Sequence, residues 1–222
     1  MRTGLYSFSA LVAALFLAGC RTLPSRDSVS GDSYKPSNVH RSAQTLPMTL
    51  RRVAVLPLAA AGERPGLDAG ASTIGPLIAP ELVASGLVEA VEVSGAELSR
   101  WTGRPKLRLT QELPAGVLES VRRQTGCDAV LFGELTQFAA FPPLSVGLRL
   151  SLVDAQSGRV LWSVDEILDA GNPAVANGAR RYFQSSLRGS GAAPFDSQSV
   201  LDSPHRFGRY AVSTLLGTIP GR

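Results

Sequence analysis

Val146, Leu148, Leu150 and Leu152 alternate with Ser145, Gly147, Arg149 and Ser151. A period of two sends alternate side chains to opposite faces, so this segment predicts a strand with one buried face. Residues 154–159, Asp-Ala-Gln-Ser-Gly-Arg, predict a hairpin turn in which Asp154 bonds its own backbone and Gly158 takes a positive φ. Val160, Trp162 and Val164 then alternate with Leu161, Ser163 and Asp165 as the return strand, with the first three expected on the core face. Upstream, residues 128–138 form a strongly apolar strand, broken at Phe141-Pro142-Pro143. Residues 53–58 form a short apolar run suited to a strand buried on both faces, with Pro57 marking an edge or a bulge.

Helical spacing fills the intervals. Ile74, Leu77, Ile78 and Leu82 share one face behind Ser72, a candidate N-cap, after a Gly/Ala-rich loop over residues 59–71. Pro76 and Pro80 leave two options there: a helix starting late with Pro80 in its first turn, or a kinked helix. Gly86 ends it, and residues 87–93 predict a second strand. One helical turn over residues 96–101, a short edge strand around Leu107 and Leu109, and a helix from Pro114 to Gly126 follow. Glu119 and Arg123 stand in the favourable i,i+4 order. Two further helices open at Asn172-Pro173 and Ser203-Pro204, separated by a loop over residues 190–202. The order β, α, β, α, β, antiparallel hairpin, helices predicts an α/β protein: one mixed sheet with a C-terminal antiparallel hairpin and helices packed on it.

The first twenty residues follow another pattern. Arg2 precedes an apolar stretch beginning near Leu5, which closes on Leu17-Ala18-Gly19-Cys20. The stretch is short and interrupted by Ser7 and Ser9, which fits a secretory signal better than a membrane-spanning helix. The last four residues resemble the lipobox of bacterial lipoproteins. That resemblance implies cleavage before Cys20, a diacylglyceryl group on its thiol, and an acyl chain such as palmitate on its freed amine. Two or more chains hold a protein stably on a bilayer. Arg21 resembles the default that sends such proteins to the outer membrane. The expected organisation is a signal peptide over residues 1–19, a flexible tether over 20–48, and a single α/β domain over 49–222. The tether follows from the Ser, Pro, Asp, Asn and Gly content of residues 21–44, which show almost no apolar periodicity.

Composition narrows the picture. Hydrophobic residues make up 44% of the 222 and charged ones 18%, as in a globular core. The net charge of +4 is too mild to point to nucleic acid, though it is compatible with anionic headgroups or cell-wall polymers. With Cys20 lipidated, Cys127 has no disulfide partner and reads as a small buried hydrophobe. The two histidines, His40 and His205, with one thiol make a poor zinc site. Phosphate-loop, dinucleotide and Gly-x-Ser-x-Gly signatures are missing from the sequence. No cofactor is expected, and no catalytic residues are assigned.

Three clusters remain as candidate sites. Arg100, Arg104, Lys106 and Arg108 surround Trp101, as a solvated loop or as a contact for anionic lipid or glycan. Phe138 and Phe141 flank the strand break, either seating a partner or a membrane surface or packing on the domain's own core. Asp165, Glu166 and Asp169 form an acidic patch, solvated or, in the alternative reading of a cell-wall ligand-binding or hydrolytic lipoprotein, the site that works on cell-wall material.

The run Arg51-Arg52-Val53-Ala54-Val55-Leu56-Pro57-Leu58, the strand Cys127 to Gly133, and the hairpin from Leu148 to Trp162 together resemble the TolB N-terminal-like fold of envelope lipoproteins. That group includes the curli secretion lipoprotein, the penicillin-binding-protein activator lipoprotein and the lipoprotein of Pel polysaccharide export. The resemblance implies a lipid-anchored, periplasm-facing, non-enzymatic assembly or accessory factor, for polymer or protein export, with envelope-protein partners or copies of itself. No inter-strand insertion in residues 51–165 has the paired alternation that a membrane hairpin needs, so a channel is not expected.

Overall fold

A computed structural model describes Val29 and residues 31–188 and 197–222. Among these residues, seven strands form one mixed sheet: β1 (Val39–Arg41), β2 (Arg52–Val55), β3 (Ala59–Ala60), β4 (Glu89–Glu92), β5 (Ala129–Ala139), β6 (Ser145–Asp154) and β7 (Val160–Asp169). Their order is β1-β7-β6-β5-β2-β4, with β3 also paired to β5. β2 runs parallel to β4 and to β5, and β3 parallel to β5; the remaining pairs are antiparallel. The strand run begun by β2 breaks at Pro57 and resumes as β3 further along β5, because proline has no N–H for the ladder. The helices are α1 (Leu67–Ile74), α2 (Ile78–Ala84), α3 (Gly95–Thr102), α4 (Val117–Thr125), α5 (Pro173–Arg188) and α6 (Pro204–Leu216).

The sheet separates two cores. The larger one joins Leu131, Leu135, Leu148, Leu150 and Trp162 to α1, α2, α5 and α6. The smaller one joins Ala54, Val130, Phe132 and Cys127 to Leu98 of α3 and Val121 of α4. Cys127 is buried and free. Asp154 behaves as its turn requires: its Oδ1 accepts from the Ser157 N–H at 2.6 Å, and Gly158 has φ 71°. Pro80 sits in the first turn of α2, after a 3-10 turn at Gly75–Leu77.

Several local expectations are corrected. Ser72 lies inside α1 and donates to the Asp68 carbonyl, while Gly66 occupies the N-cap. The loop over residues 59–71 already contains β3 and the start of α1. No strand forms around Leu107 and Leu109; Leu107 instead fills the smaller core. The helical ion pair of α4 joins Glu119 to Arg122, not to Arg123. Val160 is exposed and does not share the face of Trp162, because a bulge pairs Val153 with Val160 while Leu152 pairs with Trp162. The extra residue shifts the alternation by one.

The largest correction concerns the tether. Its signal-proximal part lies outside the described residues, but residues 31–46 are stitched to the domain. β1 pairs with β7, Leu46 is buried, and the Tyr34 N–H donates to Ala174 O at 3.1 Å. Polar composition removes the means of forming a core, yet an open strand edge supplies hydrogen-bond partners to any backbone that lies beside it. Among the described residues, no helix is long and apolar enough to cross a membrane.

Candidate functional site

The acidic patch is divided by strand geometry. Asp165 and Glu166 are consecutive in β7 and therefore point to opposite faces. Asp165 accepts from Arg149 Nε at 2.8 Å and pairs with its Nη2 at 2.7 Å. Arg149 also reaches Glu134 at 3.5 Å, so β5, β6 and β7 carry the row Glu134, Arg149, Asp165 at matched registers. Glu134 is buried and takes a second donor, the Thr110 hydroxyl, at 2.8 Å. Composition and motif searches overlook Glu134 because it stands alone between apolar residues; the cross-strand partner Arg149 is the signal that finds it.

Glu166 holds the strap formed by residues 31–46. It accepts from the Tyr34 hydroxyl at 2.5 Å and from the backbone N–H groups of Ser37 and Asn38 at 2.5 and 2.7 Å. Burial pushes this carboxyl up, but the bonds from Tyr34, Asn38 and Ser37 outweigh it and hold it below the usual range. Tyr34 is displaced upward, first by burial and then by its bond to Glu166. Arg181 of α5 fastens the strap's beginning, donating to Ser33 Oγ at 2.7 Å and to the Gly31 carbonyl. Asp169 closes its own turn by accepting from the Gly171 N–H at 2.7 Å. The three carboxylates thus serve three different structural bonds and do not converge on one space.

The basic cluster also disperses. Arg100 is exposed on α3, whereas Trp101 is half-buried against the smaller core. Arg104 donates to the Glu112 carbonyl, Lys106 reaches Asp68 at 3.5 Å, and Arg108 donates to the Ala60 carbonyl at 3.3 Å. Lys106 and Arg108 thereby fasten the long loop between α3 and α4 to α1 and β3, and Arg104 closes it on itself.

Phe138 and Phe141 separate as well. A bulge at Leu135/Gln137 turns Phe138 toward the larger core, where it packs beneath Gly70 of α1; a Cβ at Gly70 would lie 2.5 Å from the Phe138 ring. Gly147 accommodates the same bulge, since a Cβ there would meet Thr136 Oγ1 at 2.5 Å. Phe141 projects from the hairpin tip and is 83% exposed. His40 lies exposed in β1 and His205 exposed in the first turn of α6. Cys20 lies outside the described residues.

A crevice of about 220 Å³ opens at the carboxyl ends of β2 and β4, lined by Val55 to Leu58, Ser94, Gly95, Gly75 and Lys106. The following helices leave to opposite faces of the sheet, the arrangement that forms a crevice in open α/β sheets. Ser94 and Glu97 close a capping box across its α3 rim, and these hydrogen bonds, from the Ser94 side chain first, hold the Glu97 carboxyl below its usual range.

No family model matches the chain, and no curated protein matches it. Solved structures do resemble it. The PelC dodecamer from Paraburkholderia phytofirmans aligns with 83% of this chain and 98% of its own, at 17% identity and a TM-score of 0.46. Lipoprotein GNA1162 from Neisseria meningitidis aligns over 65% of this chain and 99% of its own, at 18% identity and a TM-score of 0.40. The hypothetical protein CT253 from Chlamydia trachomatis aligns over 76% of this chain and 98% of its own, at 18% identity and a TM-score of 0.39. Likeness at this level assigns no activity.

Proposed function

We propose that this protein is a lipid-anchored, non-catalytic assembly or accessory factor of the bacterial envelope, facing the periplasm from the outer membrane. The sequence support is the run Leu17-Ala18-Gly19-Cys20 behind an apolar signal core. The observation that carries the reading is the strap. The chain leading from Cys20 is bound to the domain by β1, Glu166 and Arg181, so an anchor at Cys20 holds the fold close to its membrane. The dispersal of the acidic patch into separate structural bonds supports binding over hydrolysis, since paired-carboxylate chemistry needs two carboxyl groups facing one bond. The work left to such a fold is to present surfaces to other envelope components at a set height.

A photo-crosslinking residue at Ser163 in cells tests this. Discrete adducts with one envelope protein or with a second copy, lost when Cys20→Ser frees the chain from the membrane, are expected. Release of soluble fragments from purified cell wall by the isolated protein, abolished by Asp165→Asn, would sink the proposal.

A further inference from the structure

Phe141 combines high exposure with an unusual backbone. It heads Phe141-Pro142-Pro143, and the two prolines offer no N–H groups at the tip of the β5–β6 hairpin. A tip with fewer backbone donors loses less hydration when it leaves water. The neighbouring turn is tied to the hairpin. The Ala170 N–H donates to Leu144 O, and Asp169, at the end of β7, is engaged by the Gly171 N–H.

The strap locates this tip relative to the anchor. Tyr34 bonds Ala174 in the first turn of α5, three residues after Gly171, where a Cβ would lie 3.8 Å from Pro143 of the tip, and Arg181 binds Gly31 and Ser33 further along that helix. From residue 174 to 181 is seven residues, about 10 Å of helix. From Cys20 to Val29 is nine residues, a reach of about 30 Å when extended. The anchor can therefore meet a bilayer in the plane of the tip, whereas a tether running freely to residue 48 would reach about three times as far.

From these observations we infer that the Phe141 tip is a second membrane contact, entering the headgroup region of the bilayer that holds Cys20. This rests on the lipid-anchor reading. A lone aromatic ring brings about 150–250 Å² of surface. That is well below the ~800 Å² per partner of a stable protein interface, but it suffices to orient a domain already confined to the membrane. The occupant that fits is a lipid surface.

The test uses full-length lipidated Phe141→Trp protein in phosphatidylethanolamine/phosphatidylglycerol vesicles with brominated acyl chains. Wild type supplies the background of Trp101 and Trp162. The added emission should fall about twofold in brominated vesicles, as for a ring ~5–10 Å into the headgroup boundary. The Cys20→Ser form should show no such quenching. Protein that floats with vesicles while the added tryptophan stays unquenched overturns the tip contact and leaves the anchor standing. Protein that fails to float overturns the anchor and the tip contact together. Quenching that persists in the Cys20→Ser form would mean the tip binds without the tether, against the coupling inferred.

Discussion

Over β6 and β7, one face of the sheet carries Val146, Leu148, Leu150, Leu152, Trp162 and Val164, each 2% exposed or less. The other face of the same strands carries Ser145, Gly147, Arg149, Ser151, Ser163 and Asp165. Helices α1, α2, α5 and α6 cover the first face. On the second, α3 and α4 cover β2, β4, the beginning of β5 and Val153 near the end of β6, while the rest of β6 and β7 carry Arg149 and Asp165 of the ionic row with Glu134. A single strand pair thus meets a hydrophobic layer on one side and a hydrogen-bonded charged surface on the other. The first side supplies stability without direction. The second supplies few contacts, each with a fixed partner, around the buried polar residues Glu134, Ser145 and Ser151.

The largest test of that contrast removes Trp162. Trp162→Ala should destabilise the domain by about 3–5 kcal/mol in a denaturant titration, because it leaves a cavity and also orphans the bond from indole Nε1 to Thr218 Oγ1. A loss below about 1 kcal/mol would mean the burial is not what holds the hairpin to α6.

On the opposite face, Arg149→Ala should cost about 1–3 kcal/mol, toward the lower end. It deprives the buried Glu134 of its ion pair, but the Thr110 hydroxyl remains as a donor, and Arg149 is partly solvated. Arg149→Ala combined with Glu134→Leu should recover part of the loss, since a buried charge without a partner is the costly state. Failure of the second change to help would show that the row acts through geometry rather than charge.

The smallest effect belongs to the strap. The folded-state pKa of Glu166 lies below its ordinary value, so its contribution is present above about pH 4.3 and is lost as pH falls through the folded value. Hydrogen-exchange protection of the Val39–Arg41 amides should therefore decline in acid, ahead of the core strands. Glu166→Gln should lower that protection at neutral pH, by roughly 1 kcal/mol, and remove its acid dependence. Equal protection in wild type and Glu166→Gln at pH 7 would separate the strap from this carboxylate.

The hairpin and the buried strands were legible because alternation is strong there: a run such as Leu148 to Leu152 admits one register with its apolar side chains inside. The strap was not legible. Residues 31–46 have no period, and β1 is only three residues long. Its position is set by the open edge of β7 and by Glu166 and Arg181, all more than one hundred residues away. Val160 shows the same limit on a smaller scale, since a one-residue bulge reverses its face without altering the residues around it. The clusters of like residues misled in a consistent way. Neighbours along the chain, such as Asp165 and Glu166, are neighbours in chemistry only if the backbone turns them to one side, and an extended strand does the opposite.

What the residues settled without the fold are the properties carried by local periodicity and local chemistry: the mixed α/β class, the Asp154–Gly158 turn and the buried Cys127. Only the tertiary structure decided which carboxylates are engaged, which aromatic of the Phe138/Phe141 pair remains outside, and that residues 31–46 lie along β7. Those outcomes depend on contacts between segments far apart in sequence, and no window along the chain contains both partners.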